Sequence, residues 1–425
     1  MTRITDKIKK SDSAAAILSL MNSNLLVSFV GAAASIIQAK FVTAEQLGYF
    51  RQFGIITNYL FFLHLGTYQA VERLYPLYIG KGENEKARRL VGVAEAWIFF
   101  VSIPTSLIFL ALGIFSLLRG NWMATLGWIA QAVAMFTTVY GGFIKATYRS
   151  GQDFKKMARA QYLTPIHTVL VIPIYFISPY VGLFLKNINT LATTIVMYLK
   201  RPIKSKKKFN ITDFKVIISN GLPRFSSSYA ITTGIEAIRS TMVLRFLGQT
   251  ALGYWSFTWT IYGLVRQIPQ SVSAVYAPRV TQEYGRTGDY KQCLKLCKKP
   301  ILVCMGLVAC LIPVGIFGSM VLVPLILPNY TNAAGILAAT IVCILPTCIL
   351  DLPWQIINSM NRPGTLNLFA FTDMLLQCAG MILALKTNCA IYSVVIGSVA
   401  GSIWRMICIG VFFQRLHRKE RKNNG

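Results

Sequence analysis

Apolar blocks of roughly 20 residues or more follow one another along almost the whole chain, parted by short polar stretches. Each block is long enough to cross a hydrocarbon layer of about 30 Å as a helix. A bilayer core holds no water to satisfy peptide groups, so a spanning segment is either a helix or a strand of a closed barrel. These runs lack the strict alternation of barrel strands, and the expected fold class is therefore an all-α integral membrane protein. A mean hydropathy of +0.52 excludes a soluble chain of two or three domains with polar linkers.

Twelve spans are read near 14–37, 52–78, 91–117, 121–144, 160–178, 180–199, 216–244, 252–277, 300–327, 333–357, 366–386 and 389–414, which puts both termini on one side. A net charge of +28 first suggests nucleic acid, because Lys and Arg displace phosphate counterions. The distribution of that charge argues otherwise. Most lysines and arginines fall at the amino terminus, in alternate loops such as Lys81 to Arg89, Lys145 to Arg159, Lys200 to Lys215 and Arg279 to Lys299, and in the tail from Arg415. The opposite loops hold only Lys40, Arg51, Arg119, Arg245 and Lys386. Cytoplasmic loops carry such an excess, so both termini are expected in the cytoplasm and nucleic acid is not an expected partner.

All nine cysteines lie beyond Gln292 without His or Cys neighbours at metal-ligand spacing, and are expected to be buried thiols. No Gly-rich phosphate loop of the nucleotide-hydrolase type occurs. No metal or cofactor is expected, and neither is an enzyme.

The two halves echo each other. AEQLGYFRQFG from Ala44 and QTALGYWSFTW from Gln249 share Leu-Gly-Tyr followed by an aromatic residue, separated by nearly half the chain. LYPLYIGKGENEKA from Leu74 and YAPRVTQEYGRTGDYKQ from Tyr276 are spaced alike. With six spans per half, the repeat keeps its orientation, giving two pseudo-symmetric six-helix bundles about an axis along the membrane normal. The expected domains are residues 1–200 and 216–425, with 201–215 as a basic cytoplasmic linker. The first helix of each half is polar: Ser19, Asn22, Ser23, Asn24 and Ser28 in one; Asn220, Arg224, Ser226, Ser227, Ser228, Thr232, Thr233, Glu236 and Arg239 in the other. Polar groups in a span face the bundle interior or a watery cavity, although the serines alone also fit simple helix packing.

Six cations lie within spans: Arg73, Lys186, Arg224, Arg239, Arg266 and Arg405. Each costs at least about 2.5 kcal/mol at a helix centre, so each needs a partner, a route to the interface or a ligand. Arg73 is near a helix end and can snorkel. Glu236 and Arg239 are three apart on one helical face, and Asp351 or Asp373 can meet Arg405. Lys186, Arg224 and Arg266 rank highest as substrate-binding cations, with Arg239 and Arg405 beside them, because guanidinium groups grip phosphate oxygens in a bidentate manner. His167 and Glu95 are candidates for coupling to an ion, or else packing groups. Tyr254, Trp255, Trp259 and Tyr262 can stack on sugar rings or serve as anchors and packing.

GLPRFSSSYAITTGIEAIRSTMVLRFLGQTALGYWSFTWTIYGLV from Gly221, SAVYAPRVTQEYGRTGDY from Ser273 and LILPNYTNAAGIL from Leu325 resemble segments of the polysaccharide flippases. These form the polysaccharide-transport branch of the multidrug, oligosaccharidyl-lipid and polysaccharide exporter superfamily. The resemblance extends over nearly the whole chain and rests on order and spacing. It implies two six-helix lobes around a central cationic cavity with alternating access in a bacterial inner membrane. It further implies an undecaprenyl-diphosphate-linked oligosaccharide as substrate, for O-antigen, capsule or exopolysaccharide synthesis. Membrane lipids and the polysaccharide polymerase and chain-length machinery are the implied partners. Arg224 departs from the family pattern, where an apolar residue more often follows Gly-Leu-Pro, whereas Arg239 matches a cation often found there. A multidrug exporter of the same superfamily, a membrane-embedded polymerase or glycosyltransferase, and a structural scaffold are the competing readings. Excess intramembrane Arg and Lys disfavours cationic drugs, short loops on the far side disfavour an enzyme, and nothing in a scaffold demands the buried charges.

Overall fold

The computed structural model describes residues 2–387 and 389–423, and among them every regular element is a helix, with 201–210 the longest irregular stretch. Its helices group into twelve rods. The first six are α1 (Thr2–Phe41), α2 (44–80), α3 (Asn84–Leu118), α4 (Trp122–Ser150), α5 (Phe154–Ile177) and α6 (179–199). The second six are α7 (211–247), α8 (249–287), α9 (Tyr290–Ile326), α10 (328–359), α11 (Pro363–Lys386) and α12 (Ala390–Arg421).

Seven of the described rods are long and apolar enough to cross a membrane, and α10 joins them as a pair of helices bent by 40°. The remaining four carry breaks or polar residues. α2 is interrupted by a 3-10 turn at Phe61–His64, and α6 is two short helices, Pro179–Asn187 and Thr190–Leu199. α7 contains a π-turn at Ala230–Gly234 just before Glu236 and Arg239. It parts from α8 at Gly248, whose φ of 86° and ψ of −177° only glycine tolerates readily. Large apolar side chains stand outward, such as Leu118 at 81% exposed and Leu325 at 76%. Water would penalise such faces, whereas lipid does not.

Packing divides the chain into two units: Met1–Val42 with Tyr49–Ser226, and Thr43–Gly48 with Ser227–Gly425. The core of the first unit is built on Tyr68, Ile98, Met135, Phe143 and Tyr148. The basic stretch after α6 belongs to it. Arg201 and Ser205 bond to the fully buried Glu95 of α3 at 2.7 and 3.0 Å, and Asp213 pairs with Arg89 at 2.7 Å. In the second unit, smaller apolar clusters tie α8, α9, α10 and α12 together through Cys293, Cys297, Cys304, Cys348 and Ile356. Every described cysteine is a free thiol.

Both copies of the Leu-Gly-Tyr element meet inside the second unit. A Cβ on Gly48 would overlap the carbonyl of Gln249, and one on Gly253 the carbonyl of Ala44. The Gln249 side chain donates to the Glu45 carbonyl at 3.3 Å. The repeated glycine is thus required because two backbones touch there, the general use of small residues between membrane helices. Gly253→Ala should therefore destabilise the protein in detergent by about 1–3 kcal/mol through overpacking. Gly263→Ala, where nothing lies within 4 Å of an added Cβ, should leave thermal stability unchanged or raised. Size-exclusion detection after heating reads both.

Candidate functional site

Helical spacing aligns the polar residues of the second unit. On α8, Trp255, Trp259, Tyr262 and Arg266 recur at four-, three- and four-residue steps and so share one face. Ser398, Ser402 and Arg405 do the same on α12, and Asp373 and Gln377 on α11. These faces, with Arg239 of α7 and Thr340, Cys343 and Thr347 of α10, converge on one cavity, which Gln377 lines but Asp373 and Glu236 do not. The break that ends the first part of α10 at Cys343 brings that residue into the lining.

A chain of charged and polar groups runs through the site. Arg405 pairs with fully buried Asp373 at 3.2 Å. Gln377 donates to both oxygens of Asp373 at 3.1 and 3.0 Å, and its own oxygen accepts from the Arg239 guanidinium. Arg239 pairs with Glu236 at 3.7 Å and stands 5.6 Å over the Trp259 ring. Glu236 also accepts from the Trp255 indole at 2.8 Å and from Ser240 at 3.3 Å. The two acids are thus committed to Arg239 and Arg405. Arg266 has no ion pair among the described residues, and its Nε is buried without a hydrogen-bond acceptor. The lining itself holds three guanidinium groups and no carboxylate, while the neighbouring acids Glu236, Asp373 and Asp351 lie outside it. The free volume is about 40 Å³, room for water only.

Of the candidates read from sequence, Arg239, Arg266, Arg405, Glu236 and Asp373 come together here. Asp351 lies within electrostatic reach of Arg266 and Arg405 but does not line the cavity. Trp255, Trp259 and Tyr262 do line it, whereas Tyr254 packs on Tyr330. Gln377 was not singled out from sequence, although an amide four residues after an intramembrane Asp in an apolar helix was the available signal.

The other candidates belong to the first unit. Lys186 is held by Ser35 at 2.7 Å and Gln38 at 2.6 Å, both on α1, with no carboxylate partner among the described residues. Arg224 is half-buried near the charge of Arg73. His167 is half-buried with its Nδ1 unbonded. Glu95 accepts from Tyr140 at 2.8 Å in addition to Arg201 and Ser205, and Lys207 approaches it at 3.8 Å. It therefore fastens the basic stretch after α6 rather than lining a cavity.

No family model matches this sequence, and no curated protein matches it. Its fold does have counterparts among solved structures. An inward-facing multidrug resistance MATE family transporter of the MOP superfamily aligns with a TM-score of 0.65 at 15% identity, over 93% of this chain and 96% of that one. The lipid II flippase MurJ in an inward closed conformation aligns equally well, with 0.65 at 15% identity over 92% and 87%. A MOP superfamily transporter from Pyrococcus furiosus, described by the reverse polarity of its binding pocket, aligns at 0.61 and 15% identity over 95% of both. The chain is thus a multi-pass, all-helical membrane protein with the MATE and MurJ fold, twelve spans in two six-helix halves. The structures it matches are transporters.

Two outcomes test the polar chain and the fastening. Asp373→Asn strands the Arg405 guanidinium and should lower stability by about 3–5 kcal/mol, while adding Arg405→Gln should recover part of the loss in a double-mutant cycle. Glu95→Ala should release residues 201–208, so that trypsin cuts there at least about tenfold faster in folded protein.

Proposed function

We propose that this protein is a flippase that carries an undecaprenyl-diphosphate-linked oligosaccharide across a bacterial inner membrane by alternating access, for cell-surface polysaccharide synthesis. The observation that carries the reading is Arg266. It is a guanidinium in a membrane helix with no described carboxylate within 4.0 Å, beside two arginines whose ion pairs are already formed. A diphosphate supplies the missing countercharge with bidentate geometry. The indoles and hydroxyls around it suit sugar rings, and the lipid tail stays in the bilayer. At about 40 Å³ the cavity is collapsed, so loading requires its helices to part. The MurJ likeness, a lipid II flippase, supports the class of cargo, and the basic loops support cytoplasmic termini. Lys186 and Arg224 of the first unit are proposed as further substrate-binding cations.

The multidrug reading draws on an equally strong structural likeness. It is disfavoured by a cavity lining that holds three arginines and no carboxylate, because cationic drugs need acids to meet them.

Purified protein in vesicles should move a labelled undecaprenyl-diphosphate oligosaccharide between leaflets, read by lectin accessibility. Arg266→Gln should slow this by at least about tenfold, the loss of one charge-assisted anion contact of about 1.5–3 kcal/mol. Absence of flipping with several repeat units, together with ion-coupled efflux of small cationic amphiphiles, would overturn the proposal in favour of the drug exporter.

A further inference from the structure

A second cavity of the second unit lies away from the arginine cluster, along the seam of α11 and α12, and it opens to the outside of the helices. It is a groove of about 490 Å³, within the roughly 300–1,000 Å³ typical of ligand sites. One end carries Arg362, at the start of α11, with Arg415 and Lys419, four residues apart on α12. The rest is apolar, and its wall includes Leu368 at 62% exposed, Ile407 at 50% and Val411 at 40%.

Two contacts hold this shape open. The Arg362 guanidinium lies 5.7 Å over the Phe412 ring, and both line the groove. The Trp404 indole donates to Thr372 at 2.9 Å, fixing the ring as part of the wall. No acid lines the groove, and the nearby Glu420 is taken by Lys291 at 2.7 Å. Three like charges gathered at the mouth of an apolar trench repel one another until an anion arrives. The trench runs along two apolar membrane-spanning helices, so the anion must come with a hydrocarbon chain.

We propose that this groove binds an anionic glycerophospholipid, with its phosphate on Arg362, Arg415 and Lys419 and one acyl chain along Leu368, Trp404, Ile407 and Val411. Basic pockets between membrane helices are general sites for anionic headgroups. A zwitterionic lipid also has a phosphate, but its ammonium would face the same three cations. The site therefore selects by headgroup charge. It does not depend on which cargo the protein transports.

Trp404 supplies the probe. The full chain is reconstituted in phosphatidylcholine vesicles containing increasing amounts of phosphatidylglycerol, or of phosphatidylcholine, with brominated acyl chains, which quench tryptophan on contact. The Trp404 contribution is the difference between the unmodified chain and Trp404→Phe. Its quenching should be half complete at about tenfold lower mole fraction for the anionic lipid, given about 1 kcal/mol per surface cation reduced by screening. The preference should vanish in Arg362→Gln/Arg415→Gln/Lys419→Gln. It should persist in Lys295→Gln/Lys298→Gln/Lys299→Gln, which removes as much charge from the exposed start of α9. Equal quenching by both lipids in the unmodified chain overturns the proposal whatever the variants do, as does survival of the preference in the first triple variant. Its loss in both variants also overturns it, because surface charge in general would then be responsible. Relief of quenching by unbrominated undecaprenyl phosphate at lower mole fraction than phosphatidylglycerol would assign the groove to a prenyl lipid instead.

Discussion

The run of contacts from Arg405 through Asp373, Gln377 and Arg239 to Glu236 is the interaction on which the second unit depends. Each charged member would be costly in a bilayer alone. Joined, they convert that cost into a constraint, because Asp373 on α11 is satisfied only while α12 presents Arg405 and its own neighbour Gln377 reaches across to α7. The π-turn before Glu236 lies on the helix that carries both ends of the Glu236–Arg239 pair. α7 is tolerable as a membrane helix because its polar face is spent on this network and not on lipid.

The first unit handles the same problem differently. Its fully buried carboxylate, Glu95, collects cations and a hydroxyl from the basic stretch after α6, so it holds a connection in place instead of furnishing a cavity. Its buried ammonium, Lys186, is met by a serine hydroxyl and a glutamine amide with no carboxylate. The repeat visible in the sequence therefore does not extend to the electrostatics, and each unit has its own arrangement of buried charge.

In the proposed cycle, the collapse of the cavity to about 40 Å³ bears on where an anion would first gain energy. Separating Arg405 from Asp373 strands a buried charge, which is strongly unfavourable. Arg266 has no ion pair within 4.0 Å to lose. An entering phosphate would engage it without first breaking an ion pair, and the neighbouring pairs would keep the frame while the lining parts. On that proposal the network and Arg266 have separable roles, one holding the helices and one meeting the anion.

The sequence by itself determined that the chain is helical and membrane-spanning, the order and approximate centres of the twelve rods, and that Leu-Gly-Tyr recurs once per half; rod ends such as Thr2, Tyr290 and Thr287 lie ten residues or more beyond the apolar blocks. Apolar block length and the need to satisfy peptide groups in lipid are local facts, readable without knowing any neighbour. The pairing of Glu236 with Arg239 was legible for the same reason, since three residues on one helix always share a face. Other features depended on contacts between distant segments. Spacing could not choose between Asp351 and Asp373 for Arg405, could not show that Gly48 and Gly253 touch each other, and could not bring Gln377 to Arg239. Nor could it separate Lys186 and Arg224, held in the first unit, from the arginine cavity of the second. Helical periodicity fixes which face a residue occupies, but only the packing of one helix on another decides what that face meets, and buried charge is neutralised by whatever it meets.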